Sequence, residues 1–217
     1  MRLAVLFRDS SLAVIDKPAG LAVDEDVVPL AARELAPAGG RAWPRVVHRL
    51  DRGTSGCLVL ALTRAAAQGL ARALDQGQWE KVYLAAVEGS PPDSASLDTP
   101  YGPDPRDRRR FTTRLETPRR ARLGYEVARR LPGACLLRIR LGTGRTHQIR
   151  VQLSEAGFPL LGDEVYGTRH AGIGRPALHA ERLAFPHPVG GQRIECTAPL
   201  PEDFSRLLAD LGCKSGW

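Results

Sequence analysis

Cysteine is scarce in this 217-residue chain: only four occur, at positions 57, 135, 196 and 213, with no C-x-x-C pair and no histidine at ligand spacing beside them. That spacing indicates neither a zinc centre nor a disulfide framework. Long apolar runs are missing as well. The opening MRLAVLFRDSSLAVIDKP has an uninterrupted run of only five apolar residues before Arg8 and Asp9, short of a signal peptide, and nothing later approaches the roughly 18 apolar residues of a membrane span. A cytoplasmic protein with no membrane association is expected. No repeat of about 20 to 50 residues is present, which excludes solenoids and propellers. HRLD, residues 48–51, overlaps the kinase catalytic loop, but the Gly-rich phosphate loop, the D-F-G and the later Asn are absent, and the kinase reading fails.

What is present is apolar bulk and positive charge. At 43% hydrophobic, the chain can bury a core without covalent staples, and its length fits one domain over residues 1–217. Thirty-one Lys and Arg face 24 Asp and Glu, a net +7. Residues 101–130 alone hold ten arginines against Asp104, Asp107, Glu116 and Glu126, an excess of +6. Such a balance favours a polyanion, with nucleic acid first among partners.

Patterning predicts a mixed order of strands and helices. SLAVID, residues 11–16, reads as a strand stopped by Pro18 and Gly20, and residues 27–36 as a short helix. β-rich runs at 46–50 and 57–62 flank Gly53-Thr54-Ser55-Gly56, so Asp51 is expected at a strand end entering a turn. Thr63 caps a helix that stops at Gly77, and residues 79–89 alternate as a strand with Lys81 and Tyr83 on its polar face. Residues 90–118, rich in Pro, Asp and Arg, predict a long irregular excursion, part of it ordering only on a partner. Strands at 121–131 and 134–141 join through Pro132-Gly133. Thr146 is expected to cap a helix ending at Gly157. Strands follow at 177–185 and 192–200, and Pro201 starts a last helix. The sum is an α+β fold, with helices flanking one extended, largely antiparallel sheet.

Asp51 stands between Arg49 and Arg52, whose cations favour its carboxylate form, the form a nucleophile or base needs. The bland reading is an Asx cap on a glycine turn. His48 fits a packed histidine. Tyr83 fits either a core-edge ring or one that stacks on a flipped base. LGTGRTHQIRVQL offers two glycines before a helix, with Arg145 and Arg150 on either side of His147, an arrangement suited to phosphate. The run 106–122 is either a solvated face or an RNA-facing loop.

Together these stretches resemble one family, the RluA-type pseudouridine synthases. AVIDKPAGLAV resembles its first motif, VVHRLDRGTSGCLVLALT its second, KVYLAAVEG its Lys-x-Tyr strand and LGTGRTHQIRVQLSEAGFPLLGDEVYG its third. LHAERLAFPHP and TAPLPEDF are similar to its C-terminal signatures, and the resemblance covers about residues 10–204. Gly53 and Phe158 depart from residues common in relatives, polar or acidic in the first case and His in the second.

The resemblance implies a single catalytic domain that isomerises uridine in tRNA and/or 23S-type rRNA, with neither cofactor nor metal; a monomer is expected because no long exposed apolar stripe is evident in the sequence. Asp51 matches the aspartate that starts cleavage between uracil N1 and the ribose, by attack on the sugar or by proton abstraction. Tyr83 matches the tyrosine that stacks on the base, Arg150 the arginine that salt-bridges the aspartate, and Arg49 the residue that fills the gap in the RNA stack. Arg52, Arg145, His147, Arg108, Arg109 and Arg110 are the further RNA contacts expected, the last three within an arginine-rich loop at 104–122. Many relatives begin with a small basic RNA-binding domain, whereas here the first motif starts about ten residues in, so substrate choice is expected to rest on the catalytic domain. Two other readings stay open: an RNA-binding or chaperone protein of this fold with dispensable catalysis, and a hydrolase that releases uracil.

Overall fold

The computed structural model describes residues 2–35 and 44–212. Cys213 and Ala36, the end of the expected first helix, lie outside the described residues. The chain opens with β1 (Ala4–Arg8), which the sequence pattern does not mark because this edge strand buries little and carries no in-out alternation. It pairs antiparallel with β2 (Leu12–Lys17), whose Leu12–Ile15 are buried. A π-helical turn (Val23–Val27) runs into α1 (Val28–Glu34), with Pro29 in its first turn, where a missing N–H costs nothing.

The expected strand at 46–50 is only β3 (Arg45–Val46), two residues opposite Leu60 and Ala61 of β4 (Ser55–Ala61). Its ladder stops because the next partner group is taken by a side chain: the Val59 N–H donates to His48 Nε2 at 3.1 Å. Asp51 therefore lies in a turn beyond the strand, closed by Thr54 N–H on the Asp51 carbonyl at 3.0 Å. Thr63 caps α2 (Arg64–Asp75) as expected, its hydroxyl accepting from Ala66 N–H at 3.1 Å, and Gly77 (φ +70°) ends the turn after it. Leu70, Ala66 and Ala73 line the buried stripe, Leu70 alone contributing about 1.5–3 kcal/mol of burial.

β5 (Glu80–Glu88) is buried from Lys81 through Val87, so its alternation marks two covered faces, not a polar and an apolar one. The expected irregular excursion is ordered: β6 (Ser94–Pro100) pairs along β9 (Arg120–Leu131), and β7 (Gly102–Pro103) with β8 (Phe111–Thr112) closes a short hairpin between them. Pro and Arg counts hid strands whose stability comes from pairing rather than propensity. β9 turns through Gly133 (φ +70°) into β10 (Ala134–Leu141).

α3 (Gln148–Glu155) is entered not through Thr146 but through His147, in the left-handed region at φ 56°. The Thr146 carbonyl is held by the Tyr101 hydroxyl at 2.5 Å. Gln148 gathers the entry instead, its Oε1 accepting from Arg145 N–H (3.1 Å) and the Thr143 hydroxyl (2.7 Å). The chain ends with β11 (Leu178–Pro186), β12 (Arg193–Thr197) and α4 (Glu202–Asp210).

These elements form two compact units. Met1–Lys81 with Ala180–Pro199 holds β1, β2, β4 and β12 around Leu12, Val14, Val59, Leu70 and Phe185, with Trp79 stacked on Phe185 at 5.1 Å. Val82–His179 with Leu200–Trp217 carries the order β5-β10-β9-β6 and packs Leu84, Leu136 and Ala86 against Phe204 and Leu207 of α4. The ladders β1–β2, β2–β4, β3–β4, β5–β10, β9–β10, β6–β9, β7–β8 and β11–β12 are antiparallel, so the mainly antiparallel α+β class stands.

One glycine in the first unit is required sterically. Gly56 has φ +112°, and a Cβ there would lie 2.2 Å from the Ala180 carbonyl oxygen. Gly56→Ala is expected to cost about 3 kcal/mol or more, read as a lower denaturation midpoint, because backbone strain and a backbone clash add.

Candidate active site

In the first unit the Asp51 turn is fastened by a buried lysine. Lys17, fully buried, donates from Nζ to the carbonyls of Pro18 (2.8 Å), Leu21 (2.9 Å) and Arg52 (3.4 Å). The Arg52 carbonyl also accepts from Gly20 N–H at 2.8 Å, and Gly20 has φ +90°. Outside this knot, both arginines beside Asp51 rest on carboxylates: Arg49 on Asp24 at 3.2 Å, Arg52 on Glu25 at 2.9 Å and on Asp26 at 3.3 Å. These pairs are solvent-exposed and contribute little to stability.

His48 turns inward. Its ring lies edge-on to Trp79 at 5.2 Å, and burial, helped by the nearby Lys81 cation, pushes its pKa down to about 3 although part of the residue reaches solvent. Nε2 accepts from Val59, so the neutral ring carries its proton on Nδ1. This supports the packed reading of His48.

In the second unit Tyr83 is 7% exposed, opposite Ile139 in the ladder, and Arg150 is equally buried on α3. Arg150 forks onto Asp163, with Nε 2.7 Å and Nη2 2.8 Å from the two carboxylate oxygens. Burial alone would raise the Asp163 pKa, but the Arg150 bonds and charge and the N–H groups of Tyr166 and Val165 hold it below the usual carboxylate value. The Arg150 guanidinium also lies over the Tyr166 ring at 5.1 Å. His147 meets that ring edge-on at 5.6 Å and Arg110 covers it at 5.2 Å, so three of the expected residues gather on a tyrosine the sequence reading did not single out. Arg108, Arg109 and Arg145 stay exposed, and Arg109 pairs locally with Asp107.

The arginine hairpin is pinned at its base. Glu155 accepts from the Thr112 hydroxyl (2.6 Å), the Thr113 N–H (2.9 Å) and the Thr113 hydroxyl, while Tyr101 stacks on Phe111 at 5.8 Å. Cations are thus carried on a fixed frame.

The RNA pseudouridylate synthase family matches residues 11–155, a stretch that includes Asp51, Tyr83 and Arg150. The chain belongs to this family. It is 42% identical to an uncharacterized RNA pseudouridine synthase of Chloroflexus aurantiacus over 82% of this chain and 57% of that protein. It is 38% identical to ribosomal large subunit pseudouridine synthase D of Xanthomonas campestris, covering 96% of this chain and 69% of the relative. Against the protein of that name in Nitrosomonas europaea identity is 40%, over 95% and 64%. The chain therefore spans about three fifths to two thirds of the length of these relatives. Among solved structures, human RNA pseudouridylate synthase domain containing 1 superposes with a TM-score of 0.79 at 26% identity, over 92% of this chain and 84% of that one.

For a pseudouridylate synthase fold, sequence reading found the motif residues but missed Lys17, Asp163, Tyr166 and Glu155. Two of them had a local signal. Lys17 precedes a Pro-Ala-Gly turn that must bend carbonyls inward, and Asp163 stands two and three residues before the N–H groups it caps.

Two outcomes follow. Asp163→Ala removes two charge-assisted hydrogen bonds from a buried guanidinium and is expected to lower stability by about 3 kcal/mol in urea denaturation. His48, neutral in the fold and ordinarily protonated below about 6.5, makes stability fall as pH drops from about 6.5 toward 3, by at most about 1.4 kcal/mol per unit. The unfolded chain binds the extra proton, so the sign is fixed. His48→Gln is expected to flatten the wild-type decline between about pH 7.5 and 5.

Proposed function

We propose that this chain isomerises uridine to pseudouridine in RNA, residues 1–217 acting as one catalytic domain. The observation that carries the reading is the family match over residues 11–155, which takes in Asp51, Tyr83 and Arg150 together. The N1–C1′ bond breaks and a C5–C1′ bond forms; N1 gains a proton as C5 loses one, so the reaction is redox-neutral. Asp51 initiates cleavage, Tyr83 stacks on the base and serves the late proton transfer, and Arg150 pairs with Asp51. Asp163 already occupies the Nε edge of Arg150, which fixes the plane in which its remaining amino group meets an anion. Arg49 fills the gap left by the flipped nucleotide, offsetting part of a cost of about a few kcal/mol.

The net charge of +7 and the exposed Arg108, Arg109 and Arg145 support RNA as partner. The names of two relatives favour large-subunit ribosomal RNA over transfer RNA as substrate. Work on RNA supports a cytoplasmic site of action. Among the described residues only Val5, Val165 and Val189 are large exposed apolar groups, widely separated in sequence, which supports a monomer.

Chemical mapping of pseudouridine in total RNA from cells with and without the gene is expected to reveal at least one gene-dependent site. Purified Asp51→Asn protein is expected to bind RNA within about threefold of wild type yet form no pseudouridine. Wild-type protein that binds RNA and never isomerises it would overturn this in favour of a chaperone, and released uracil would favour a hydrolase.

A further inference from the structure

Tyr166 stands where three parts of the second unit meet: helix α3, the arginine hairpin and the loop after Asp163. Its ring, 8% exposed, carries the Arg150 guanidinium at 5.1 Å and the Arg110 guanidinium at 5.2 Å. Its hydroxyl oxygen accepts from Phe111 N–H at 3.0 Å and lies 3.0 Å from His147 Nδ1. Its own N–H donates to Asp163 Oδ1 at 3.2 Å, the carboxylate that forks Arg150, and its carbonyl accepts from the Ser154 hydroxyl of α3. Burial raises the phenol pKa, so the group stays protonated and can donate to His147 while accepting from Phe111.

The two cations on this ring differ in kind. Arg150 is buried and locked by two charge-assisted bonds, whereas Arg110 is exposed and lies against the face of the ring. A contact between an exposed cation and an aromatic face is weaker than a charge-assisted bond to phosphate, so an arriving RNA backbone draws Arg110 off the ring and leaves Arg150 in place. Until then two like charges each lie within 5.2 Å of one ring centroid, close enough for each to raise the energy of the other.

We propose that Tyr166 is a positioning residue that couples RNA contact by the arginine hairpin to the setting of Arg150. The hydroxyl fixes the hairpin's register through Phe111, and the ring seats Arg150 against Asp163. Neutralisation of Arg110 by a phosphate removes a competing positive charge from beside Arg150. Substrate engagement and the electrostatics of the reacting site are then linked through one side chain. The inference rests on the reading of Arg150 and RNA given above.

The test is a double-mutant cycle between Tyr166→Phe, which removes only the hydroxyl, and Arg110→Ala. Affinity for total RNA from cells lacking the gene is measured by filter binding, and kcat and apparent KM by pseudouridine formation on the same RNA. Tyr166→Phe is expected to raise Kd and apparent KM about threefold to tenfold, the effect of one lost hydrogen bond, with a smaller change in kcat. In that background Arg110→Ala is expected to add less than the fold-change it produces in wild type. Tyr166→Leu, which also removes the ring, is expected to lower kcat at least about tenfold further. Fold-changes that simply multiply, or a Tyr166→Phe protein with a lower melting temperature and unaltered Kd, would overturn the coupling. If wild type forms no pseudouridine, the functional reading falls, while the affinity cycle still decides the coupling.

Discussion

A buried ammonium group holds the Asp51 turn of the first unit in place. Lys17 has no exposed surface, and taking a cation out of water costs several kcal/mol unless the protein returns its hydrogen bonds. The return comes from backbone carbonyls at positions 18, 21 and 52, two on the loop after β2 and one on the turn that bears Asp51. Satisfying one charge therefore requires two loops to lie together. The sharp bend at Gly20 (φ +90°) is the geometry that lets the chain double back and give its N–H to the same Arg52 carbonyl. The placement of Asp51 is a by-product of solvating a lysine.

The second unit solves the matching problem with an anion. Asp163 takes two bonds from Arg150 and two from the backbone that follows it, so the charge pair is saturated on the carboxylate side. Inside the two units Lys17 and Asp163 have their hydrogen bonds filled, and the charges outside rest on partners that water can replace. Arg49, Arg52 and Arg110 belong to the second kind. Rigid groups suit a reacting centre, and exchangeable ones suit the capture of a long polyanion.

Much of the fold could be read from local chemistry. Thr63 and Gly77 bracket a helix because capping and left-handed geometry act within a few residues, and Gly133 turns one strand into the next for the same reason. Readings failed where a distant group decided the outcome. The strand at 46–50 was cut short by the His48 side chain bonding to Val59, and Thr146 lost its capping place because Tyr101, 45 residues away, holds its carbonyl. The excursion at 90–118 looked irregular by composition, yet β6 forms because β9 offers it a ladder. At the site, residues with a family motif were legible. Of those that hold them, Lys17 and Asp163 leave a faint local trace, whereas Tyr166 announces itself only through partners the fold supplies.

The acidic π-helical turn sets a limit on how strongly two of the arginines can be felt by RNA. Arg49 and Arg52 meet any phosphate already partnered by Asp24, Glu25 and Asp26, so each contact trades one anion for another. Fewer small ions are then freed into bulk water than the number of arginines suggests, and random polyanions gain little at this surface. Only a strand whose shape brings phosphates closer than those carboxylates profits from the exchange. Under the proposed RNA contact by Arg49 and Arg52, discrimination by contour would arise next to Asp51 from neutralised, rather than naked, positive charge.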